Sequence, residues 1–268
     1  MRHDHGGAAG YAPENKYPSQ LREVVDAYHY VLKEHIHPND IVVMGGSAGA
    51  NLGLSFLLHT AHAHPNIDPV ARPPSAYVLQ SPWWDLELSA PAKQDQSMVR
   101  HDYLHAGKLH EYAAAYVEPN APQPPRQSPI KYVEKRLQHV LDVVRMRLSL
   151  RPPSHHAMAS CIDEDRLPRR FTDPYANPVV TAKSTSLWQR AIGRSKLTVV
   201  SGDGELLHAS ISEQVAALRA LGLSVQHHIV PNGVHESLVL DFYVGSTREE
   251  RQQGPETTAR LIVDHFPS

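Results

Sequence analysis

The chain has 268 residues, 41% of them hydrophobic, and a formal net charge of -2 at pH 7. This length and composition are typical of one large globular domain or two small ones. The near-neutral charge does not favour a nucleic-acid partner. Cys161 is the single cysteine, which excludes an intrachain disulfide. The first ten residues lack the apolar core of a signal peptide, and no segment approaches the ~20 apolar residues of a membrane span. We therefore expect a soluble, cytoplasmic protein.

Helical and strand patterns alternate through the first part of the chain. Apolar residues at helical spacing in YPSQLREVVDAYHYVLKEH predict a helix, with Ser19 as its cap. DIVVMGG is continuously apolar, rich in β-branched residues and closed by glycine, which predicts a short buried strand. GANLGLSFLLHTAHAH predicts a helix, and SAYVLQSPWWDL predicts a second strand that runs into a loop.

The same alternation returns towards the end of the chain. SKLTVVSGDGE and SVQHHIVPNGVHES predict two more strands, with a helix over SISEQVAALRALGL between them. PETTARLIVDHF predicts a final helix. Strands that alternate with helices indicate an α/β protein with a mostly parallel sheet and helices on both faces. Loops at the carboxyl ends of such strands usually carry the chemistry.

The middle of the chain interrupts this pattern, since no strand is evident from Pro91 to Arg170. The proline-rich NAPQPPRQSP precedes KYVEKRLQHVLDVVRMRLSL, which predicts an amphipathic helix. We expect residues 91–170 to form a helical cap or insertion over the sheet edge. Residues 1–90 and 171–268 would then form the core domain. The alternative is a surface excursion with no role at a site.

Gly45, Ser47 and Gly49 form the pattern G-x-S-x-G between a predicted strand and a predicted helix. A sharp turn there would lift the serine hydroxyl clear of the backbone, and flanking glycines would remove side chains that clash. The N–H groups at the start of the helix would face a developing oxyanion. The pattern thus predicts a nucleophilic serine, although a plain glycine-rich turn has the same composition.

Partners for such a serine follow the last two predicted strands. Glu205 and Asp203 come directly after the third strand, and His235 comes after the fourth. A serine hydroxyl needs a base to take its proton, and the base needs a carboxylate to orient it and stabilise its cation. Because the carboxyl ends of parallel strands meet at one edge, we expect Ser47, His235 and one of the two acids to converge there.

An ordered set of stretches resembles the hormone-sensitive-lipase branch of the α/β-hydrolase fold, especially its fungal esterases. The stretches are YAPENKYPSQL, GGSAGANL, LQSPWWDL, DPYANPVV, SGDGELL and GVHES. They cover the chain from about residue 11 onward, apart from the central insertion. The resemblance implies Ser47 as the nucleophile, His235 as the base and Glu205 as the acid, with Asp203 as the second choice.

The resemblance also implies an oxyanion hole. Ala48 would supply one N–H group, and Gly6 and Gly7 of HGGAAG would supply the others. The family places a helix and a strand between that glycine loop and YAPE, whereas here the two abut, so the resemblance implies missing amino-terminal strands. Many relatives carry Asp where this chain has Gly46, which we expect to be tolerated beside the turn. Trp83 and Trp84 are candidates for an acyl pocket or for core packing.

The combined prediction is a carboxylic ester hydrolase that acts on a small or acyl ester through an acyl-enzyme, without a cofactor. The nineteen histidines are dispersed, so we predict no metal site. The alternative is a non-catalytic small-molecule binder or an impaired, truncated product. Receptors of this branch have lost the histidine, so the presence of His235 counts against a binder. Exposed strand edges in a shortened sheet would favour a homodimer.

Overall fold

The computed structural model describes residue 12 and residues 15–88, 102–117, 172–245 and 247–266. Several predictions fall outside these residues. They concern Gly6 and Gly7 of the glycine loop, the amphipathic helix at 131–150, and most of the proposed cap at 91–170. The four predicted strands and the residues that follow them are all described.

The described residues form four strands and seven α-helices. In chain order they are α1 (Ser19–Lys33), β1 (Val42–Gly46), α2 (Ala48–Ala61), β2 (Ala76–Gln80), α3 (Ala106–Val117), α4 (Thr185–Ile192), β3 (Lys196–Gly202), α5 (His208–Ala220), β4 (Val225–Val230), α6 (Ser237–Val244) and α7 (Arg248–Val263).

The four strands form one parallel sheet in the order β1-β2-β3-β4. Val42 pairs with Ala76, Ala76 pairs with Lys196, and Leu197 pairs with Val225. All four carboxyl ends therefore lie at the same edge of the sheet. The predicted fold class, a parallel sheet with helices between its strands, is confirmed.

Helix α2 is the most enclosed element of the described core. Ten of its residues are buried, and it packs against β1, β2, α1 and α4. Most of its buried residues are apolar, which suits a helix enclosed on several sides, and its buried polar residues make hydrogen bonds. A Cβ at Gly53 would lie 2.8 Å from Leu79 Cδ2, so this glycine lets the helix approach β2 closely. The serine turn therefore joins β1 to a helix that is packed closely against the sheet.

Two local predictions were wrong. Ser19 does not cap α1, because it is the first helical residue and its hydroxyl donates to the Lys16 carbonyl at 2.6 Å. Strand β1 is not fully buried, since Met44 is 47% exposed. Within the described residues β1 pairs with β2 alone, which places it at an edge of the sheet.

Three of the helices were not predicted from the sequence. They are α3, α4 and α6. The last helix, α7, begins seven residues before the predicted PETTARLIVDHF and contains Pro255. No helix in the described ranges is both long enough and apolar enough to cross a bilayer.

Candidate active site

Ser47 lies on a strained turn between β1 and α2. Its φ of 53° and ψ of -116° are rarely adopted by residues other than glycine and cost roughly 1–3 kcal/mol. Three backbone hydrogen bonds hold the turn: Ser47 N–H donates to the Gln80 carbonyl at 3.0 Å, and the Ser47 carbonyl accepts from Asn51 and Trp83. The side chain of Asn51 also donates to the Trp83 carbonyl at 2.9 Å. The end of β2 thus fixes the nucleophile turn.

The glycines of the motif differ in what surrounds them. A Cβ at Gly45 would lie 2.5 Å from the Gly49 carbonyl oxygen and 2.9 Å from Ala50 N, both backbone atoms. At Gly49 nothing lies within 4 Å of that position. The steric reason for a flanking glycine therefore holds at Gly45 and not at Gly49.

Gly46 is not merely a residue beside the turn. A Cβ there would overlap Glu236 Oε1 and would lie 2.9 Å from Glu236 Cδ. The carboxylate of Glu236 therefore occupies the space that a side chain at position 46 would need. This contact joins the nucleophile turn to the loop at 231–236, which carries His235 and is called the base loop below.

His235 and Glu205 meet in the interior. His235 Nδ1 lies 3.8 Å from Glu205 Oε2, an ion-pair distance longer than a hydrogen bond, and both side chains are almost fully buried. Glu205 belongs to the loop at 203–207 between β3 and α5, called the acid loop below. The two loops follow neighbouring strands, which is why residues thirty positions apart come together.

Burial dominates the electrostatics of this pair. It raises the pKa of Glu205 to about 8 and lowers the pKa of His235 to about 3, because desolvation penalises both charged forms. The carboxylates of Asp102 and Glu236 raise the Glu205 pKa further, whereas the Ser81 hydroxyl and the Gly202 N–H lower it. Buried ionisable groups with pKa values displaced in this way are common at functional sites.

Ser81 is a site residue that the sequence interpretation missed. It follows β2 directly, its hydroxyl donates to Glu205 Oε2 at 2.6 Å, and it accepts from the Glu236 N–H at 2.9 Å. Its φ of 43° is again unusual for a residue other than glycine. The only sequence signal was its position at the carboxyl end of a strand, within LQSPWWDL.

Asp102 is a second residue that was missed. It is buried, and its carboxylate accepts from Leu206 N–H at 2.6 Å and from His235 N–H at 3.2 Å. The adjacent Tyr103 ring lies edge-on to the His235 ring, with centroids 5.7 Å apart. Both residues belong to the region that was assigned to the cap, where the sequence showed no motif.

The remaining candidates take different positions. Asp203, the second choice for the acid, lies near His208. Burial lowers the pKa of His208, and the charge of Asp203 opposes that shift.

The two tryptophans proposed for an acyl pocket are both buried. Trp84 donates its indole N–H to the Pro178 carbonyl at 2.6 Å and packs against Trp188 in the core. The backbone N–H of Trp83 donates to the Ser47 carbonyl, so Trp83 lies beside the nucleophile turn.

In the described part of the chain, the three predicted catalytic residues follow strands whose carboxyl ends lie at one edge of the sheet. Glu205 and His235 are paired, and the Ser47 turn meets the base loop through Gly46 and Glu236. Ala48 is the first residue of α2, where N–H groups have no partner within the helix. Within these same residues, no cluster of three or more His, Cys, Asp or Glu side chains is arranged to hold a metal ion.

A profile described as the alpha/beta hydrolase fold matches residues 10–151, more than half of the chain. The chain therefore belongs to the α/β-hydrolase fold family. This result agrees with the parallel sheet and with a serine turn at the carboxyl end of a strand.

Two curated relatives resemble part of the chain. An esterase of Acinetobacter venetianus is 32% identical over 116 residues, which are 42% of this chain and 36% of the relative. An acetyl-hydrolase of Streptomyces hygroscopicus is 30% identical over 133 residues, 46% of this chain and 42% of the relative. The chain thus matches less than half the length of either protein.

Solved structures extend the likeness to nearly the whole chain. A hormone-sensitive lipase from a metagenome library superposes with a TM-score of 0.60 at 20% identity, covering 95% of this chain and 64% of that one. An esterase of the bacterial hormone-sensitive lipase family gives 0.58 at 18%, with coverages of 93% and 62%. The esterase EstE5, soaked with p-nitrophenyl butyrate, gives 0.59 at 17%, with coverages of 93% and 62%. At this identity the likeness shows a shared fold.

Proposed function

We propose that the chain is a carboxylic ester hydrolase of the hormone-sensitive-lipase branch, with Ser47, His235 and Glu205 as its catalytic residues. The observation that carries the proposal is the buried Glu205–His235 pair at the same sheet edge as the strained Ser47 turn. The names of the curated relatives, an esterase and an acetyl-hydrolase, support ester cleavage and favour a short acyl group.

The proposed reaction proceeds in two halves. Ser47 Oγ attacks the acyl carbonyl carbon while His235 takes the hydroxyl proton, and the Ala48 N–H stabilises the oxyanion. The tetrahedral intermediate collapses, the C–O bond to the alcohol breaks, and His235 returns its proton to the leaving oxygen. Water then attacks the acyl-serine with His235 again as base, which releases the carboxylic acid and restores Ser47.

Each buried partner has a defined part in this cycle. Glu205 faces His235 Nδ1, which leaves Nε2 as the ring nitrogen for proton transfer. The base must be neutral to accept a proton, and burial keeps it so because it lowers the pKa of His235. Glu205 must be ionised to stabilise the imidazolium. Burial opposes this form, since it raises the Glu205 pKa to about 8, and the hydrogen bond from Ser81 favours it, so we expect activity to rise as the pH approaches and passes 8.

The test is covalent labelling with a fluorophosphonate together with hydrolysis of p-nitrophenyl butyrate. We expect the wild-type chain to be labelled and to cleave the ester, and Ser47→Ala to abolish both. Ser212→Ala, which changes a serine of α5, should leave both unchanged. Equal behaviour of the wild type and Ser47→Ala would reject the esterase mechanism and favour a hydrolase-fold protein that binds without catalysis.

A further inference from the structure

The acid loop and the base loop share one buried carboxylate. Asp102 is 6% exposed, and its two oxygens point to different loops. Oδ2 accepts from the Leu206 N–H of the acid loop at 2.6 Å, and Oδ1 accepts from the His235 N–H of the base loop at 3.2 Å. Leu206 is adjacent to Glu205, so each hydrogen bond ends on a catalytic residue or its neighbour.

The same segment touches the base a second time. Oδ1 of Asp102 also accepts from the backbone N–H of the next residue, Tyr103, at 2.8 Å. This hydrogen bond fixes the direction of the carboxylate. The Tyr103 ring packs edge-on against the imidazole of His235, at an interplanar angle of 65°. The backbone of His235 and its ring are thus both held by residues 102 and 103.

Asp102 lies in a segment of the chain that is separate from both loops that it joins. It lies between β2 and β3, just before α3, and not in either loop that it joins. A carboxylate has two acceptor oxygens with two lone pairs each, so one side chain can accept from both loops and from its own segment at once. Backbone N–H groups buried without a partner would be unfavourable, so the carboxylate is needed where it lies.

We propose that Asp102 is a positioning residue for ester cleavage, which holds the acid and base loops so that Glu205 and His235 stay in register with the Ser47 turn. The inference rests on the proposed function and adds to it the role of a segment outside the motif-bearing loops. Asp102 acts through His235 and Glu205 and does not itself touch substrate.

The experiment compares Asp102→Ala, Asp102→Asn and a matched control, Asp173→Ala. Asp173 is also a carboxylate that joins distant segments, since it accepts from the Tyr17 hydroxyl at 2.8 Å and from the Tyr175 N–H at 2.9 Å. Steady-state cleavage of p-nitrophenyl butyrate, hydrogen exchange of the Leu206 and His235 amides, and the melting temperature are measured for each variant.

For Asp102→Ala we expect kcat to fall at least about tenfold with KM within about twofold, because misplaced catalytic groups slow chemistry more than they weaken binding. Exchange of both amides should accelerate. Asp102→Asn keeps one acceptor oxygen and should show intermediate values. Asp173→Ala should lower the melting temperature while kcat stays within about twofold of the wild type.

Two outcomes would overturn the inference. One is a kcat for Asp102→Ala close to wild type although both amides exchange faster, which would leave a purely structural contact. The other is an equal loss of kcat in Asp102→Ala and Asp173→Ala at matched folded fraction. An inactive wild type that does not react with a fluorophosphonate would instead reject the proposed function itself. If Asp102→Ala fails to fold, Asp102→Asn decides between these results.

Discussion

The side chain of Glu236 fills the space that Gly46 leaves open because it has no side chain. Glu236 adopts the left-handed conformation, with φ 53° and ψ 33°, and its N–H is held by Ser81. Its carboxylate lies where the side chain of an Asp at position 46 would start. The resemblance had led us to expect that Gly46 is simply tolerated, whereas the structure gives it a specific neighbour.

We expect Gly46→Asp to destabilise the chain by about 1–3 kcal/mol, since it places a second carboxylate against Glu236. Adding Glu236→Ala should recover most of that loss, because the new side chain then has room. The pair should show a coupling energy of roughly 0.5–3 kcal/mol in a double-mutant cycle. Urea unfolding of the two single variants and the double variant measures it.

Glu236→Gln shows how much of the destabilisation by Gly46→Asp comes from repulsion between the two carboxylates and how much comes from crowding. Gly46→Asp with Glu236→Gln removes the repulsion between carboxylates but keeps the crowding, so it should recover less stability than the alanine variant. Strictly additive effects of the two substitutions would show that the side chains do not compete for this space.

Secondary-structure elements set the geometry of the nucleophile turn, through the contact of β1 with the first turn of α2. At Gly45 an added Cβ would meet the backbone of Gly49 and Ala50, which cannot move without opening the turn. Gly49 is exposed and its Cβ position is open. A methyl group would therefore clash at Gly45 and would be accommodated at Gly49.

We expect Gly45→Ala to lower the free energy of unfolding by about 2 kcal/mol or more, because strand and helix must separate. Gly49→Ala should leave it unchanged or raise it by up to about 1 kcal/mol, since alanine favours the helix. Chemical denaturation followed by circular dichroism compares the two. A larger loss at Gly49 than at Gly45 would contradict this account of the turn.

For the molecule as a whole, the outer strands of the described sheet leave apolar side chains in contact with solvent. Met44 on β1 is 47% exposed, and Ile229 on β4 is 44% exposed. Edge strands of this kind favour pairing with another chain, and lysine on an edge opposes it. These exposures support the proposal of a homodimer, and β1, the outer strand with the slightly more exposed side chain, is the contact that we propose.

We expect the chain to self-associate with increasing concentration, and Met44→Lys to weaken that association at least about tenfold. Ile229→Lys is the matched control, because it places the same charge on the opposite edge of the described sheet. Sedimentation equilibrium measures both. A monomer at all concentrations, or equal effects of the two substitutions, would count against a dimer through β1.

The sequence alone determined the four described strands and four of the helices, with their order along the chain. Apolar, β-branched runs that end in glycine marked β1 and β3, and short runs followed by a proline within two residues marked β2 and β4. The position of Ser47, Glu205 and His235 after three strands predicted that they would share an edge. It did not predict the exposure of Met44, since burial depends on which strand lies beside β1 and not on its own composition.

The tertiary structure alone decided how the candidate site is held. Ser81, Asp102 and Glu236 bridge the acid loop, the base loop and the nucleophile turn, although the sequence interpretation gave none of the three a role. Their partners lie up to 155 residues away along the chain. Hydrogen bonds of this kind depend on distances between loops, which the packing of the whole sheet sets and which leave no periodic signal in a sequence.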